Sequence, residues 1–353
     1  MPKELKYAVG LDIAKDQFDA CLAVIDENQK ITVKSTKSGI ANSSKGFDGL
    51  LEWTKKHLRD EVPLVFCMEA TGIYYEQLAW FLHQQGQIIS VLVPNKTRNY
   101  LKSLGIRTKN DKTDARGLAT MACQQDLKPW HPLSNDIYEL RQLTRYYEQL
   151  QNTRTMLRNQ LQTMLCGRLE NKDVAAGLKE LLSSVETQIE STAGLIEKTV
   201  RKDPVLCRKI EDINSIKGLG LISIATVIAE TDGFALFENI AQLVSYCGYD
   251  VTQNQSGKRE GKTKISKMGN SRIRRILFLP AFSVVRYDIA PFSSLFNRVY
   301  DRTKIKMKAY VAVQRKLLIL IYTLWRKNER FNYPLYPERG LGCSLSGKTP
   351  MHA

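Results

Sequence analysis

Four carboxylates sit where buried strands and a helix would gather them. Asp12 interrupts the apolar run Tyr7-Ala-Val-Gly-Leu-Asp-Ile-Ala, and Glu69 closes the run Leu64-Val-Phe-Cys-Met-Glu. Asp111 and Asp114 open a helical stretch three residues apart, so one face of one turn can carry both. An acid at the end of a buried strand is costly to ionise unless a cation offsets it, and oxygen ligands select a divalent one. Mg2+ is the expected ion, with Mn2+ as the alternative. Two such ions roughly 4 Å apart can bridge a scissile phosphate. Taken singly, Asp111 and Asp114 also suit a helix N-terminus, where the dipole favours negative charge. The four together, in this order, point to metal-dependent phosphoryl chemistry.

Three further features suit a phosphate backbone. The turn Ile216-Lys-Gly-Leu-Gly-Leu reads as a helix-hairpin-helix, in which Lys217, Gly218 and Gly220 let backbone N–H groups approach a phosphate; a tight turn without a ligand reads the same way. From Lys258 to Arg275 there are eight Lys/Arg and one acid. Lys258, Arg259, Lys262, Lys264 and Lys267 fall in a glycine-rich loop, and a helix from Ser271 would present Arg272, Arg274 and Arg275. Ser256, followed by Gly257, stands at the mouth of that loop. A hydroxyl among cations and near a metal can attack phosphorus directly; Ser266 and Ser271 are the other serines of the stretch. A second basic run, Arg302-Thr-Lys-Ile-Lys-Met-Lys, suits a phosphate surface or a solvated helix face.

The elements that must hold these groups follow from patterning. Strands are expected over 5–13, 18–25, 30–36, 63–69 and 88–93, the first three as an antiparallel meander, with helices over 46–59, 73–85 and 111–125. Gly86 stands where a C-cap glycine belongs. Strand, strand, strand, helix, strand, helix, strand is the order of an RNase H-like sheet, giving an α/β domain over 1–130. Leu143, Leu150, Leu157 and Met164 repeat every seven residues, while Leu140, Tyr147 and Leu161 fill an alternate seam that Arg154 breaks. With the apolar series Leu178, Leu182, Val185, Ile189 and Ile196, this predicts a coiled coil or helical hairpin over 131–204, bent between Gly167 and Gly177. A mostly helical third domain is expected over 205–332, and residues 333–353 lack periodicity and are expected to be disordered.

The bulk numbers are compatible with this. The chain has 353 residues, enough for two or three domains, and 52 basic against 36 acidic side chains leave a formal charge of +16. That excess favours a polyanion partner, nucleic acid first. Seven cysteines without a CxxC pair, far from the four histidines, are expected to be reduced, to form no zinc site, and to fit a bacterial cytoplasm. No apolar run reaches membrane-spanning length, and Leu317-Leu-Ile-Leu-Ile-Tyr-Thr-Leu-Trp reads as a buried helix.

The motifs Gly10-Leu-Asp-Ile-Ala-Lys, Met68-Glu-Ala-Thr-Gly-Ile-Tyr, Lys109-Asn-Asp-Lys-Thr-Asp-Ala-Arg, the Ile216–Gly220 turn, Tyr246-Cys-Gly-Tyr, Gln255-Ser-Gly-Lys, Ser266-Lys-Met-Gly-Asn and Arg274-Arg-Ile-Leu-Phe-Leu-Pro-Ala are collinear over roughly residues 5–330. As a set they resemble the Piv/MooV-like DEDD transposases of insertion-sequence family 110. The resemblance implies a RuvC-like N-terminal domain, a coiled-coil insertion and a C-terminal transposase domain. It implies that Asp12, Glu69, Asp111 and Asp114 form a metal-binding tetrad, and that Ser256 forms a 5′-phosphoserine with DNA. It further implies action on double-stranded donor and target DNA at the nucleoid. A homodimer or tetramer is implied, in which the serine of one subunit completes the acidic site of another, as is a structured guide RNA from the element's own end. The loop after Ser256 is richer in lysine than the family pattern. Two other expectations compete. One is a RuvC-like endonuclease that uses water in place of Ser256; the other is an architectural or RNA-binding protein with an inert core.

Overall fold

The computed structural model describes residues 2–59, 61–70, 72–104, 111–169, 171–252, 255–256, 259–260 and 263–332, with side chains throughout except at 95, 111, 112, 255, 256, 259 and 260. The expected disordered tail lies outside these residues. The chain divides into two compact units, Met1–Pro132 and Leu133–Ala353.

In the first unit, β1 (Glu4–Ile13), β2 (Gln17–Asp26) and β3 (Ile31–Ala41) form the meander. There follow α1 (Ser44–His57), β4 (Leu64–Glu69), α2 (Glu76–Gln84), β5 (Ile88–Leu92), α3 (Pro94–Ser103) and α4 (Asp111–Gln124). The sheet order is β3-β2-β1-β4-β5, with β1–β2 and β2–β3 antiparallel and β1–β4 and β4–β5 parallel. This is the RNase H-like arrangement that the element order predicts. Helix α3 was not expected: Pro94 opens it at the first helical turn, and its polar sequence offers little periodicity to read.

Strands β1, β2 and β4 bury both faces, which is why they read as near-continuous apolar runs. Tyr7, Val9, Leu11, Phe66 and Met68 face α1 and α2, meeting Phe47, Leu50, Leu78 and Leu82. Ala8, Cys21, Ala23 and Cys67 face the other way, onto Ala115, Leu118, Ala119 and Ala122 of α4. Side chains on the α4 face are small, so the helix lies close to the strands.

The second unit opens with α5 (Asn135–Leu165) and α6 (Lys172–Lys202), each of 31 residues. The bend between them falls within the expected Gly167–Gly177 region. Lys202 pairs with Glu139 at 2.8 Å and Arg158 with Glu186 at 2.5 Å, an antiparallel register. Then come α7 (Pro204–Asn214), α8 (Leu221–Thr231), α9 (Ile240–Tyr246), β6 (Val251–Thr252), β7 (Gln255–Ser256), β8 (Arg259–Glu260) and β9 (Lys264–Ile265). The unit ends with α10 (Ser271–Ile276), α11 (Phe278–Arg286), α12 (Ala290–Thr303) and α13 (Lys306–Lys327). Its helix starts are written locally. Ser134, Asn171, Asp203, Asn239 and Asn270 each accept a backbone N–H at the first turn of α5, α6, α7, α9 and α10, an interaction worth about 1 kcal/mol apiece.

The hairpin and the segment after it, expected as separate regions 131–204 and 205–332, share one core. Leu140, Ile196 and Val200 from the hairpin root bury together with Ile210, Ile224, Phe234, Leu317 and Ile321. Leu317, Leu318, Ile321 and Leu324 place α13 in that core as its composition suggests. Among the described residues no single helix is long and apolar enough to cross a membrane.

Candidate functional site

Asp12 lies one residue before the end of β1, and Glu69 ends β4. The two strands pair in parallel, with Leu11 beside Met68, so Asp12 and Glu69 emerge side by side at one end of the sheet. Alternation puts both on the face covered by α4, since Ala8 and Cys67 are buried against that helix.

Helix α4 runs antiparallel to β1. The Lys6 ammonium donates to the carbonyl of Gln125, just past the helix end, at 3.1 Å. Near the middle, Gly10 touches the helix backbone: a Cβ there would stand 2.0 Å from the Ala115 carbonyl oxygen and 2.3 Å from the Ala119 nitrogen. From Gly10 to Asp12 the strand advances roughly 7 Å, which is about four to five residues of helix. Asp12 therefore comes abreast of the first turn of α4, where Asp111 and Asp114 stand. A glycine inside an apolar strand signals such a close backbone approach, and Gly10 is that signal here.

The acids Asp12, Glu69 and Asp114 are half-buried, and the side chain of Asp111 lies outside the described residues. Asp19, which sequence reasoning missed, is the register partner of Asp12 on β2; its Oδ1 accepts the Gly39 N–H at 2.9 Å. Among the described residues, no three His, Cys, Asp or Glu side chains are gathered closely enough to hold an ion. The donor chemistry of Asp12, Glu69 and Asp114 nonetheless fits a hard divalent cation, because all three are carboxylates. The thiols on this face do not compete: burial pushes Cys21 up to about 11 and Cys67 up to about 12.

In the second unit, β6 pairs with β9 and β7 with β8, both antiparallel. Ser256 opposes Arg259 in the pairing of β7 with β8. The side chains of Ser256 and Arg259, and all of Lys258 and Lys262, lie outside the described residues. At the ribbon's base, Gly248 (φ 66°) and Gly269 (φ 137°) bring two segments into backbone contact; a Cβ on Gly269 would stand 2.2 Å from the Tyr246 carbonyl. Arg274 holds the same base, donating to the carbonyls of Cys247 at 2.8 Å and Lys267 at 3.1 Å. Ser266 is engaged there too, donating to Asp250 Oδ1 at 2.5 Å. Lys264 and Lys267 are exposed.

The helix from Ser271 forms, and its arginines take protein partners, Arg275 while remaining exposed. Arg275 reaches Glu148 at 2.9 Å and Asn152 at 3.1 Å on α5. Arg272 lies 3.2 Å from Glu148 and 3.8 Å from Glu230. Glu230, only 2% exposed, accepts a forked pair from Arg145 at 2.7 and 3.1 Å and a third bond from Asn270 at 2.7 Å. Burial alone would raise this carboxyl, but the Arg145 and Asn270 bonds prevail and hold it below the usual range. Asn270 also caps α10, so a single side chain joins the buried acid to the helix that follows the serine loop. Sequence reasoning missed both Glu230 and the capping role of Asn270.

The Ile216–Gly220 turn joins α7 to α8 as expected. Gly218, at φ 95°, has a packing reason to be glycine, since a Cβ would stand 2.8 Å from that of Ser283. Gly220 caps α8 and opens onto free space, with nothing within 4 Å of an added Cβ. The Lys217 ammonium sits 4.5 Å over the Tyr287 ring.

Comparison with known proteins gives three results. A family model for DEDD-type transposases of insertion sequence 110 matches residues 9–168, and one described as Transposase IS116/IS110/IS902 family matches residues 210–297. The chain is 27% identical to the pilin gene-inverting protein of Moraxella bovis, over 93% of this chain and 98% of that one. It is 23% identical to the transposase for insertion sequence element IS1111A of Coxiella burnetii, over 93% and 92%. Among solved structures, Thermus thermophilus RuvC with a Holliday junction substrate aligns with 35% of this chain and 99% of its own, at 10% identity and a TM-score of 0.27. The strand order, not that superposition, carries the fold.

Proposed function

Because the chain belongs to the DEDD transposase family of insertion sequence 110, we propose that it cuts and rejoins DNA by serine transesterification at a metal-assisted acidic site. The observation that most supports this is the meeting of the ends of β1 and β4 with the first turn of α4, pressed together at Gly10. Asp12, Glu69, Asp111 and Asp114 would hold Mg2+ or Mn2+, which supplies Lewis-acid polarisation of the scissile phosphate. The Ser256 hydroxyl attacks phosphorus. The bond from Oγ to phosphorus forms, the bond from phosphorus to O3′ breaks, and the 3′-oxygen leaves carrying the hydroxyl proton. The ester keeps the bond energy, so a second 3′-hydroxyl can reverse the step without ATP. Lys258, Arg259, Lys262, Lys264 and Lys267 hold flanking phosphates, and the open side of the turn at Gly220 offers another backbone contact. Arg272, Arg274 and Arg275 serve first to hold the loop's base and its exit helix in place. A structured RNA encoded beside the gene selects donor and target duplexes, and a dimer or tetramer acting at the nucleoid brings two strands together.

Ser256→Ala is expected to abolish covalent protein–DNA adducts on end-labelled DNA while leaving binding within a few-fold. Adducts from this variant would eliminate Ser256 as the nucleophile. Strand cleavage without any adduct in the native protein would favour hydrolysis by water. Asp12→Asn is expected to lose cleavage, and full activity would remove the metal-assisted site. Sequencing the RNA that copurifies tests the guide.

A further inference from the structure

Helices α11, α12 and α13 carry a surface that the acidic site and the serine loop do not use. Five aromatic rings meet there in succession. Phe278 contacts Phe282 at 4.9 Å, Phe282 stacks on Tyr310 at 3.6 Å, Tyr310 meets Phe296 at 4.6 Å, and Phe296 lies parallel to Tyr300 at 6.0 Å. All five are half-buried. Lys316 donates to the carbonyl of Pro291, and Tyr310 meets Phe296, so α13 runs against α12. At the turn between them, Met307 is 52% exposed and Ile305 46%. Cations rim the same end. Arg302, Lys304, Lys306 and Lys308 are all exposed, Asp301 is the only acid of that turn, and the Lys304 ammonium lies 5.7 Å over the Tyr300 ring.

An apolar, aromatic patch of this kind marks an interaction site rather than ordinary surface. Its rim decides the partner. A second copy docked face to face would set the same lysines against one another, which opposes self-association. A polyanion meets no such penalty. A paired duplex presents phosphates and sugars outward and has nothing to cover Ile305 and Met307. Unpaired bases present flat apolar faces with a charged backbone alongside, the combination that aromatic platforms with basic rims take.

We infer that this surface captures unpaired DNA, such as strand ends opened during exchange. The inference rests on the proposed DNA-strand chemistry only for its choice of DNA. It is tested on the full-length protein in EDTA, so that failure of the cleavage reading and failure of this one are separate results. Fluorescence anisotropy would compare a labelled 20-nucleotide oligo-dT, an oligo-U of equal length and a duplex. The double variant Ile305→Ser, Met307→Ser and the single variant Tyr300→Ala change exposed or half-exposed groups. Each is expected to weaken oligo-dT binding by roughly ten-fold, the size of one lost base–aromatic stack, and duplex binding by less than about three-fold. Photocrosslinking with 5-iododeoxyuridine oligonucleotides, read by mass spectrometry, is expected to label Tyr300, Tyr310 or Phe282. The inference is overturned by equal losses for duplex and single strand. It is also overturned by crosslinks confined to other helices, by a ten-fold preference for oligo-U, or by a fall in oligomer mass with oligo-dT binding unchanged.

Discussion

Gly10→Ala adds one methyl group at the contact between β1 and α4, beside the proposed acidic site. That carbon would lie 2.0 Å from the Ala115 carbonyl oxygen, 2.3 Å from the Ala119 nitrogen and 3.0 Å from the Ala119 Cα. All three are backbone atoms of α4, so no rotamer change relieves the overlap. Ordinary contact needs about 3.5 Å, and the helix must back away from β1 by roughly 1–1.5 Å. Overpacking of this kind costs about 1–3 kcal/mol. The larger consequence is geometric. Asp12 and Glu69 stay with the strands, while Asp111 and Asp114 leave with the helix. A displacement near 1 Å among reacting groups costs on the order of 100-fold in rate. The assay pairs urea denaturation with Mn2+ titration by calorimetry and single-turnover cleavage of labelled DNA. The expected outcome is a folded protein, modestly destabilised, with metal affinity and cleavage both sharply reduced. A Gly10→Ala protein with unchanged stability, metal binding and cleavage would refute the contact between β1 and α4 as the device that gathers the acids.

Other perturbations probe the second unit and the thiols. Glu230→Ala strands Arg145 and Asn270 beside a buried vacancy and is expected to cost about 2–3 kcal/mol by urea denaturation, below the cost for a fully buried pair because Arg145 is 43% exposed. The depressed Glu230 carboxyl also sets a pH dependence. Its contribution is complete above the unfolded value of 4.5 and is lost as pH falls through the lower folded value, so the native protein, but not Glu230→Gln, loses this increment on acidification. Arg154 breaks the heptad seam and its Nε is buried without a hydrogen-bond partner, so Arg154→Leu is expected to stabilise the protein by about 1 kcal/mol, seen as a higher Tm. Iodoacetamide on the native protein is expected to alkylate exposed Cys166 quickly and to spare Cys21, Cys67, Cys123 and Cys247, whose burial raises them to about 11–12; peptide mass mapping reads the result.

Much of this protein is legible in one dimension. Apolar runs of strand length, the heptad spacing of Leu143, Leu150 and Leu157, and capping residues such as Ser134, Asn171 and Asp203 are local signals, because periodicity and first-turn hydrogen bonds need only near neighbours. The RNase H-like strand order and the candidacy of Asp12, Glu69, Asp111 and Asp114 follow from those signals. Two things were decided only by tertiary packing. One is how the elements that carry the acids meet: the antiparallel seating of α4 on β1 through Gly10 joins residues over a hundred positions apart, and no window of sequence contains both. The other is where the arginines point. The charge run ending at Arg272, Arg274 and Arg275 reads as a surface for phosphate, yet Glu148, Glu230 and the carbonyls of Cys247 and Lys267 hold all three guanidiniums. A charge shows its sign in the sequence, but its partner depends on which distant carboxylates and carbonyls the fold brings within reach.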